Sequence, residues 1–136
     1  MVLYCDGASR GNPGPAACAY VLFHNDQMIA KQGIALGIET NNVAEYQGLL
    51  KGLDASLLHG AAQLTIRSDS ELLVRQLNGQ YKVRSGHLIP LYQMAREKLK
   101  KFKSFIIEHV PREQNTLADA LANQALDAMN IRLPSI

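Results

Sequence analysis

The stretch YCDGASRGNPGP, residues 4–15, contains the change of pattern from which the fold can be predicted. The apolar run from Met1 to Cys5 stops at Asp6, and the glycines and prolines that follow exclude a helix and predict a tight loop. We therefore expect Asp6 to lie just past the carboxyl end of a short first strand. An aspartate before a glycine is, taken alone, an ordinary turn residue.

The chain beyond this stretch alternates strand and helix patterns. Strand patterns at 16–24 and 27–36 flank a turn at 25–26 and predict a hairpin. Helical patterns then alternate with apolar strand patterns: helices at 41–59, 71–77, 90–101 and 115–129, and strands at 64–66 and 105–110. The order βββαβααβα predicts an α/β fold, a five-stranded mixed sheet that is antiparallel early, parallel late and flanked by helices.

The composition is typical of a globular protein, with 136 residues of which 47% are hydrophobic and 19% charged. This length predicts a single domain over residues 1–136. The net charge of +2 does not by itself indicate a nucleic-acid partner. A cluster of basic side chains between residues 82 and 103 fits either a solvated helix face or a patch that contacts phosphates.

Localisation signals are weak in this sequence. No stretch approaches the roughly 18 apolar residues of a transmembrane helix, and Asp6 interrupts the N-terminal apolar run too early for a secretory signal. We therefore expect a cytoplasmic protein with no membrane contact. Cys5 and Cys18 fit reduced, packed thiols. A disulfide bond between them, across neighbouring strands, is the alternative.

Four carboxylates lie where predicted elements end or begin. Asp6 and Asp69 follow strands, whereas Glu45 and Asp119 fall in the first turns of helices. Ligands bind at the carboxyl ends of parallel strands, so Asp6 and Asp69 are expected within a few ångströms if their strands are neighbours. Four carboxylates brought together repel unless cations neutralise them, and hard oxygen ligands favour Mg²⁺ or Mn²⁺. Each acid alone also fits helix capping, because capping-box spacing occurs at 42–45, 68–71 and, more loosely, 116–119.

Four motifs, in this order and on these elements, resemble those of type 1 ribonuclease H: DGASRGNPGPA (6–16), TNNVAE (40–45), SDS (68–70) and NTLADALA (115–122). The resemblance covers essentially the whole chain. It implies a ribonuclease H-like fold and a metal-dependent endonuclease that hydrolyses the RNA strand of RNA/DNA hybrids, leaving 5′-phosphate and 3′-hydroxyl ends.

The resemblance also implies a two-metal mechanism. Asp6, Glu45, Asp69 and Asp119 would be the catalytic acids and would hold two Mg²⁺ or Mn²⁺ ions. Asp6 would bridge both ions, and Asp69 and Asp119 would bind the ion that activates water. Glu45 would bind the ion at the leaving group and contact a ribose 2′-hydroxyl. Arg112 is predicted to assist catalysis, because it lies in the loop before the last helix, where many family members have a histidine.

Short polar or glycine-flanked positions near the acids suit contact with a 2′-hydroxyl in a shallow minor groove: Gly7, Ala8, Ser9, Asn41 and Asn42. The other predicted substrate contacts are Asn12, Thr40, Ser70 and Glu71, and Glu71 takes a position where the family often has a longer amide. By resemblance, Asn12 and Thr40 match positions that contact a phosphate of the DNA strand. Asn12 fits a turn residue equally well, and Thr40 and Asn41 fit a helix cap. His109, on the last strand, fits a packed or rim position.

The chain departs from the family pattern at residues 78–88, which leave room for only a short loop where many members carry a basic protrusion. Selectivity for hybrid over double-stranded RNA therefore stays open.

The alternatives are a broader nuclease of the same fold and a catalytically silent nucleic-acid-binding domain, although a binding module has no need to hold four acids together. The expected partner is an RNA/DNA hybrid and the expected state a monomer. The apolar tail 130–136 would either pack on the sheet or contact a partner.

Overall fold

The computed structural model describes residues 1–132, in which five strands form one sheet in the order β3-β2-β1-β4-β5. The strands are β1 (Val2–Ser9), β2 (Gly14–His24), β3 (Gln27–Glu39), β4 (Gln63–Ser68) and β5 (Ser104–His109). The helices are α1 (Asn41–Leu58), α2 (Glu71–Leu77), α3 (Ile89–Leu99) and α4 (Thr116–Arg132). Strands β1, β2 and β3 pair antiparallel, whereas β4 pairs parallel with both β1 and β5. The predicted element order and mixed sheet are confirmed.

Helices pack on both faces of the sheet, because successive side chains of a strand point to opposite faces. The larger core cluster joins Leu3 of β1 to Leu49 and Leu53 of α1, all fully buried. On the other face α4 packs against β2 through a smaller cluster of short side chains: Ala19, Val21, Ala118 and Ala122. The central strand β1 therefore lies between α1 and α4.

Strand β1 is longer than predicted, and the expectation that it ends before Asp6 was wrong. Its antiparallel pairing with β2 continues to Ser9 opposite Ala16, whereas its parallel pairing with β4 ends at Cys5 opposite Ser68. Glycine is unfavourable in a strand interior except where another backbone approaches closely, which is the situation of Gly7 described below. Asp6 thus lies within β1 but just past the last parallel pair.

The other element boundaries differ by a few residues from those predicted, and α2 agrees with its prediction. Helix α1 begins at Asn41 after the cap residue Thr40, which places Glu45 in the second turn, so its prediction in the first turn was wrong. Residues 78–88 contain neither helix nor strand, which confirms the short loop.

Three further features bear on the sequence-based expectations. The thiols of Cys5 and Cys18 are buried and free. Across residues 1–132, no helix combines the length and apolarity needed to cross a bilayer. The backbone of α4 continues to Arg132, and residues 133–136 of the predicted tail lie outside the described residues, so its role stays a prediction.

Candidate active site

Three of the four predicted acids converge at one edge of the sheet. Asp6, Glu45 and Asp69 each offer a carboxylate oxygen, and these oxygens lie within 4.8 Å of one another. The parallel pairing of β1 with β4 explains the proximity of Asp6 and Asp69, since each follows the last parallel pair of its strand. Asp119 lines the same pocket, whose volume is about 340 Å³. The expected proximity of Asp6 and Asp69 is therefore found.

Glycines allow α1 to bring Glu45 to this edge. A side-chain carbon on Gly7 would lie 2.2 Å from the backbone carbonyl carbon of Ala44, and one on Gly48 would lie 2.4 Å from the carbonyl oxygen of Asp6. Neither position can hold a larger residue unless α1 and β1 move apart. At this close approach the Gly7 N–H donates to Glu45 Oε1 over 3.2 Å. The glycines thus set the position of the Glu45 carboxylate.

Hydroxyl side chains, not the acids, cap α1 and α2 beside the pocket. The Thr40 hydroxyl accepts from the Val43 N–H over 3.2 Å, and the Ser70 hydroxyl accepts from the Leu73 N–H over 3.2 Å. The capping interpretation is therefore wrong for Glu45 and for Asp69, which precedes the cap of α2. Asp119 does lie in the first turn of α4, as predicted.

The buried carboxylates carry an electrostatic penalty in the absence of cations. Burial, followed by the charge of Asp69, raises the pKa of Asp6 from 3.8 to about 7. Burial and the charge of Asp6 likewise raise the pKa of Glu45 well above its usual range. The second oxygen of Glu45, Oε2, is buried and has no hydrogen-bond partner among the described residues. An unpaired buried acceptor is costly, and a cation would satisfy it, so the cluster fits a divalent metal.

The rim of the pocket is formed by the segment that leads into α4. Arg112 begins a 3₁₀ turn, Arg112–Gln114, and its guanidinium lies 3.7 Å from Asp119 Oδ1. The Arg112 side chain is 77% exposed and that of Asp119 is 30% exposed. Both line the pocket, so the two predicted residues nearest the C-terminus are brought to the other acids.

The predicted substrate contacts divide into two groups. Gly7, Ala8, Asn41 and Ser70 line the pocket, whereas Ser9, Asn12, Thr40, Asn42 and Glu71 do not. Members of the second group bond to other groups of the protein instead. Asn12 Oδ1 accepts from the Asn41 N–H over 3.0 Å, the Ser9 hydroxyl donates to the Glu39 carbonyl over 2.8 Å, and Glu71 pairs with Arg75 at 2.8 Å. The exposed His109 has its ring nitrogen 3.3 Å from the Asp69 carbonyl, a rim position.

Two residues that build the site were not singled out from the sequence. Gly48 lies three positions after Glu45, and a glycine inside a helix is unfavourable unless close packing requires it, which was an available signal. Asn115 is only 1% exposed, and its Nδ2 donates to the Cys5 carbonyl over 2.9 Å. A polar residue before a helix is typical of a cap, so no local pattern indicated this long-range bond.

The sequence profile of the family described as reverse transcriptase-like matches residues 4–125. The chain belongs to this family. Among its relatives, the ribonuclease HI of Halobacterium salinarum is 46% identical over 125 residues, which are 91% of this chain and 63% of that protein. A bifunctional protein of Mycobacterium tuberculosis is 44% identical over 130 residues, which are 94% of this chain and 36% of that protein. The chain thus spans between about a third and two thirds of the length of these two relatives.

Solved structures of this family share the fold. The crystal structure of ribonuclease H1 from H. salinarum superposes with a TM-score of 0.91 at 44% identity, covering 93% of this chain and 97% of that one. LC11 ribonuclease H1, solved in complex with an RNA/DNA hybrid, superposes with a TM-score of 0.90 at 34% identity, covering 94% and 97% of the two chains. The resemblance to type 1 ribonuclease H and its fold is confirmed.

Proposed function

We propose that this chain is a divalent-metal-dependent endonuclease that hydrolyses the RNA strand of RNA/DNA hybrids. The observation that carries the proposal is the convergence of Asp6, Glu45 and Asp69 within 4.8 Å, with Asp119 lining the same pocket. This cluster occurs in a chain that matches ribonuclease H1 of H. salinarum over 97% of that chain. The hybrid bound to LC11 ribonuclease H1 supports the choice of substrate.

The four acids are proposed to hold two Mg²⁺ or Mn²⁺ ions. Bound divalent cations supply the charge that activates an attacking water and stabilises the leaving oxygen of an in-line displacement, here leaving 5′-phosphate and 3′-hydroxyl ends. The unpaired Glu45 Oε2 and the raised pKa values of Asp6 and Glu45 support this assignment, because burial and mutual repulsion disfavour the charged carboxylates and a bound cation would offset both. A silent binding domain would gain nothing from keeping such a cluster.

The residues around the acids are proposed to orient the RNA strand. Ala8, Asn41 and Ser70 present small or polar groups along the pocket, which suits contact with 2′-hydroxyls in a shallow minor groove. The side-chain carbonyl of Asn12 is fixed on the first N–H of α1, and a helix N-terminus favours a phosphate nearby. The nucleic-acid strands outside the pocket are proposed to contact Ser9, Thr40, Asn42 and Glu71.

Arg112 is proposed to act as a fixed positive charge at the mouth of the pocket. An arginine side chain keeps its proton in proteins, so it does not replace a histidine as a proton carrier. Its guanidinium, 3.7 Å from Asp119, can instead attract the phosphate backbone and orient the Asp119 carboxylate.

Cleavage of end-labelled substrates tests the proposal directly. The purified chain with Mg²⁺ or Mn²⁺ should cut the RNA strand of a hybrid, and Asp69→Asn should lower the rate by about 10³-fold, since removal of one charged metal ligand leaves the transition state poorly stabilised. Asp26→Asn is the matched control, because Asp26 lies in the β2–β3 turn with a positive φ of 64° that asparagine also adopts.

Two results would redirect the proposal. Intact hybrid with both metals would contradict the enzyme and leave a binding domain. Equal cleavage of double-stranded RNA would favour the broader nuclease, and the short loop at 78–88 makes this comparison necessary. A cytoplasmic location, a monomeric state and a single domain over residues 1–136 stay predictions.

A further inference from the structure

Asn115 connects the first turn of α4 to the central strand. Its Nδ2 donates to the carbonyl of Cys5, the residue before Asp6, over 2.9 Å. Its backbone carbonyl accepts from the Asp119 N–H over 3.1 Å, and its own N–H donates to the Arg112 carbonyl over 2.9 Å. One buried residue therefore links the backbone beside Asp6 to both residues of the rim.

We infer that Asn115 is a positioning residue that holds Asp119 at the pocket by tying the start of α4 to β1. This inference rests on the proposed function. Asn115 does not line the pocket, so its effect on the site passes through residues that do, and its backbone carbonyl holds the Asp119 N–H. The bond fixes both the distance and the direction of the helix start, because a hydrogen bond weakens steeply when its donor and acceptor lose alignment.

Strand β1 is the fixed partner in this link. At Cys5 it pairs with β4 through Ser68 and with β2 through Tyr20, and Asp6 pairs with Ala19. The start of α4 packs on the sheet through Ala118 and Ala122, whose short side chains set position less strictly than interlocking large ones. Loss of the hydrogen bond from the Asn115 side chain to Cys5 should therefore move the start of α4 and leave Asp6 in place.

The choice of side chain supports this role. A donor is needed to reach the Cys5 carbonyl, and aspartate, a common helix-start residue, has none when ionised. The other amide atom of Asn115, Oδ1, is buried without a partner among the described residues. An unpaired buried acceptor is costly. The presence of an asparagine here is therefore best explained by the hydrogen bond that its Nδ2 donates to the Cys5 carbonyl.

The test compares Asn115→Ala with Leu126→Ala on hybrid cleavage. Leu126 is 1% exposed and lies on the same helix beyond the pocket, so its truncation loosens α4 without touching the link. Asn115→Ala should lower kcat about tenfold and keep KM within about twofold, since small misplacement of a catalytic group is costly. Leu126→Ala should lower Tm and keep kcat. Equal kcat values for wild type and Asn115→Ala would overturn the inference.

A double-mutant comparison tests whether Asn115 acts through Asp119. In an Asp119→Ala background, adding Asn115→Ala should lower kcat by less than about twofold, because the group it positions is already absent. An equal loss in both backgrounds would overturn the route through Asp119. If Asn115→Ala does not fold, Asn115→Leu fills a similar volume, removes the donor without burying a charge and should show the same loss.

Amide hydrogen exchange separates this inference from the proposed function. The Asp119 N–H should exchange faster in Asn115→Ala than in Leu126→Ala, and an equal rate would overturn the link. If the wild-type chain leaves hybrid intact, the proposed function fails, while the exchange measurement still decides whether Asn115 holds the start of α4.

Discussion

The two sides of the pocket are built by different means. On the inner side, Asp6 and Glu45 are 4% and 5% exposed, and strand pairing together with helix-on-strand contact fixes them. On the outer side, Asp119 and Arg112 come from a helix start and a 3₁₀ turn, and their side chains are 30% and 77% exposed. Because the inner side is part of the core, its substitutions should change stability and activity together. Those on the outer side should change activity alone.

The largest effect is expected for Gly7→Ala on the inner side. The new methyl group would lie 2.2 Å from the Ala44 backbone and force α1 away from β1. We expect a loss of about 3 kcal/mol in the free energy of unfolding, as for severe overpacking, and no detectable cleavage, because Glu45 moves with α1. Denaturant unfolding and hybrid cleavage measure the two effects.

Gly86→Ala is the matched control for this substitution. No heavy atom lies within 4 Å of the added carbon, so the free energy of unfolding should change by less than about 0.5 kcal/mol. A stable and active Gly7→Ala variant would show that the close approach of α1 is not required.

The inner side could be predicted in part from the sequence. The predicted strands that lead into Asp6 and Asp69 place both acids at carboxyl ends, which meet if the two strands are parallel neighbours, and the structure shows that they are. The length of β1 could not be predicted, because glycine and proline content reports local preference, whereas pairing with β2 as far as Ser9 depends on a strand elsewhere in the chain. The second-turn position of Glu45 depended on which of several polar residues caps α1.

The next effect concerns the charge of Asp6 in the absence of divalent metal. Its pKa is 3.8 in the unfolded chain and about 7 in the folded one, so the folded state holds the proton over this interval and the unfolded state does not. The free energy of unfolding should therefore fall as pH rises from about 4 to about 7. Each pKa unit corresponds to about 1.4 kcal/mol, so the total change is a few kcal/mol.

Asp6→Asn removes this charge with little change of shape. The variant should be more stable than wild type at pH 8 and should show a smaller change of Tm between pH 4 and pH 8, while losing cleavage. Thermal unfolding with a chelator present measures the stability and the change of Tm, and a cleavage assay with added metal measures the activity. Asp26→Asn, outside the cluster, should follow the wild-type curve. An Asp6→Asn variant less stable than wild type at pH 8 would mean that the carboxylate stabilises the fold.

The outer side was less accessible to sequence reasoning. Asp119 was singled out as an acid in the first turn of a predicted helix, but Arg112 was identified only through the family resemblance. The segment VPREQN does not by itself reveal the 3₁₀ turn that brings them together. The bond from Asn115 to Cys5 joins residues 110 positions apart, a distance at which no local pattern carries information. The sequence thus indicated which residues form the site more fully than what holds them there.

The smallest effect is expected for Arg112→Ala on the outer side. An exposed ion pair contributes less than about 1 kcal/mol, so the free energy of unfolding should stay within about 0.5 kcal/mol of wild type. Turnover should fall about fivefold with KM within about twofold, because the guanidinium orients Asp119, whereas its exposed charge is screened by salt and adds little to hybrid affinity. Arg112→Lys keeps the charge and should recover most of the rate. If Arg112→Ala lowers Tm in step with the rate, the rim is part of the core after all, and the contrast between the two sides of the pocket fails at this residue.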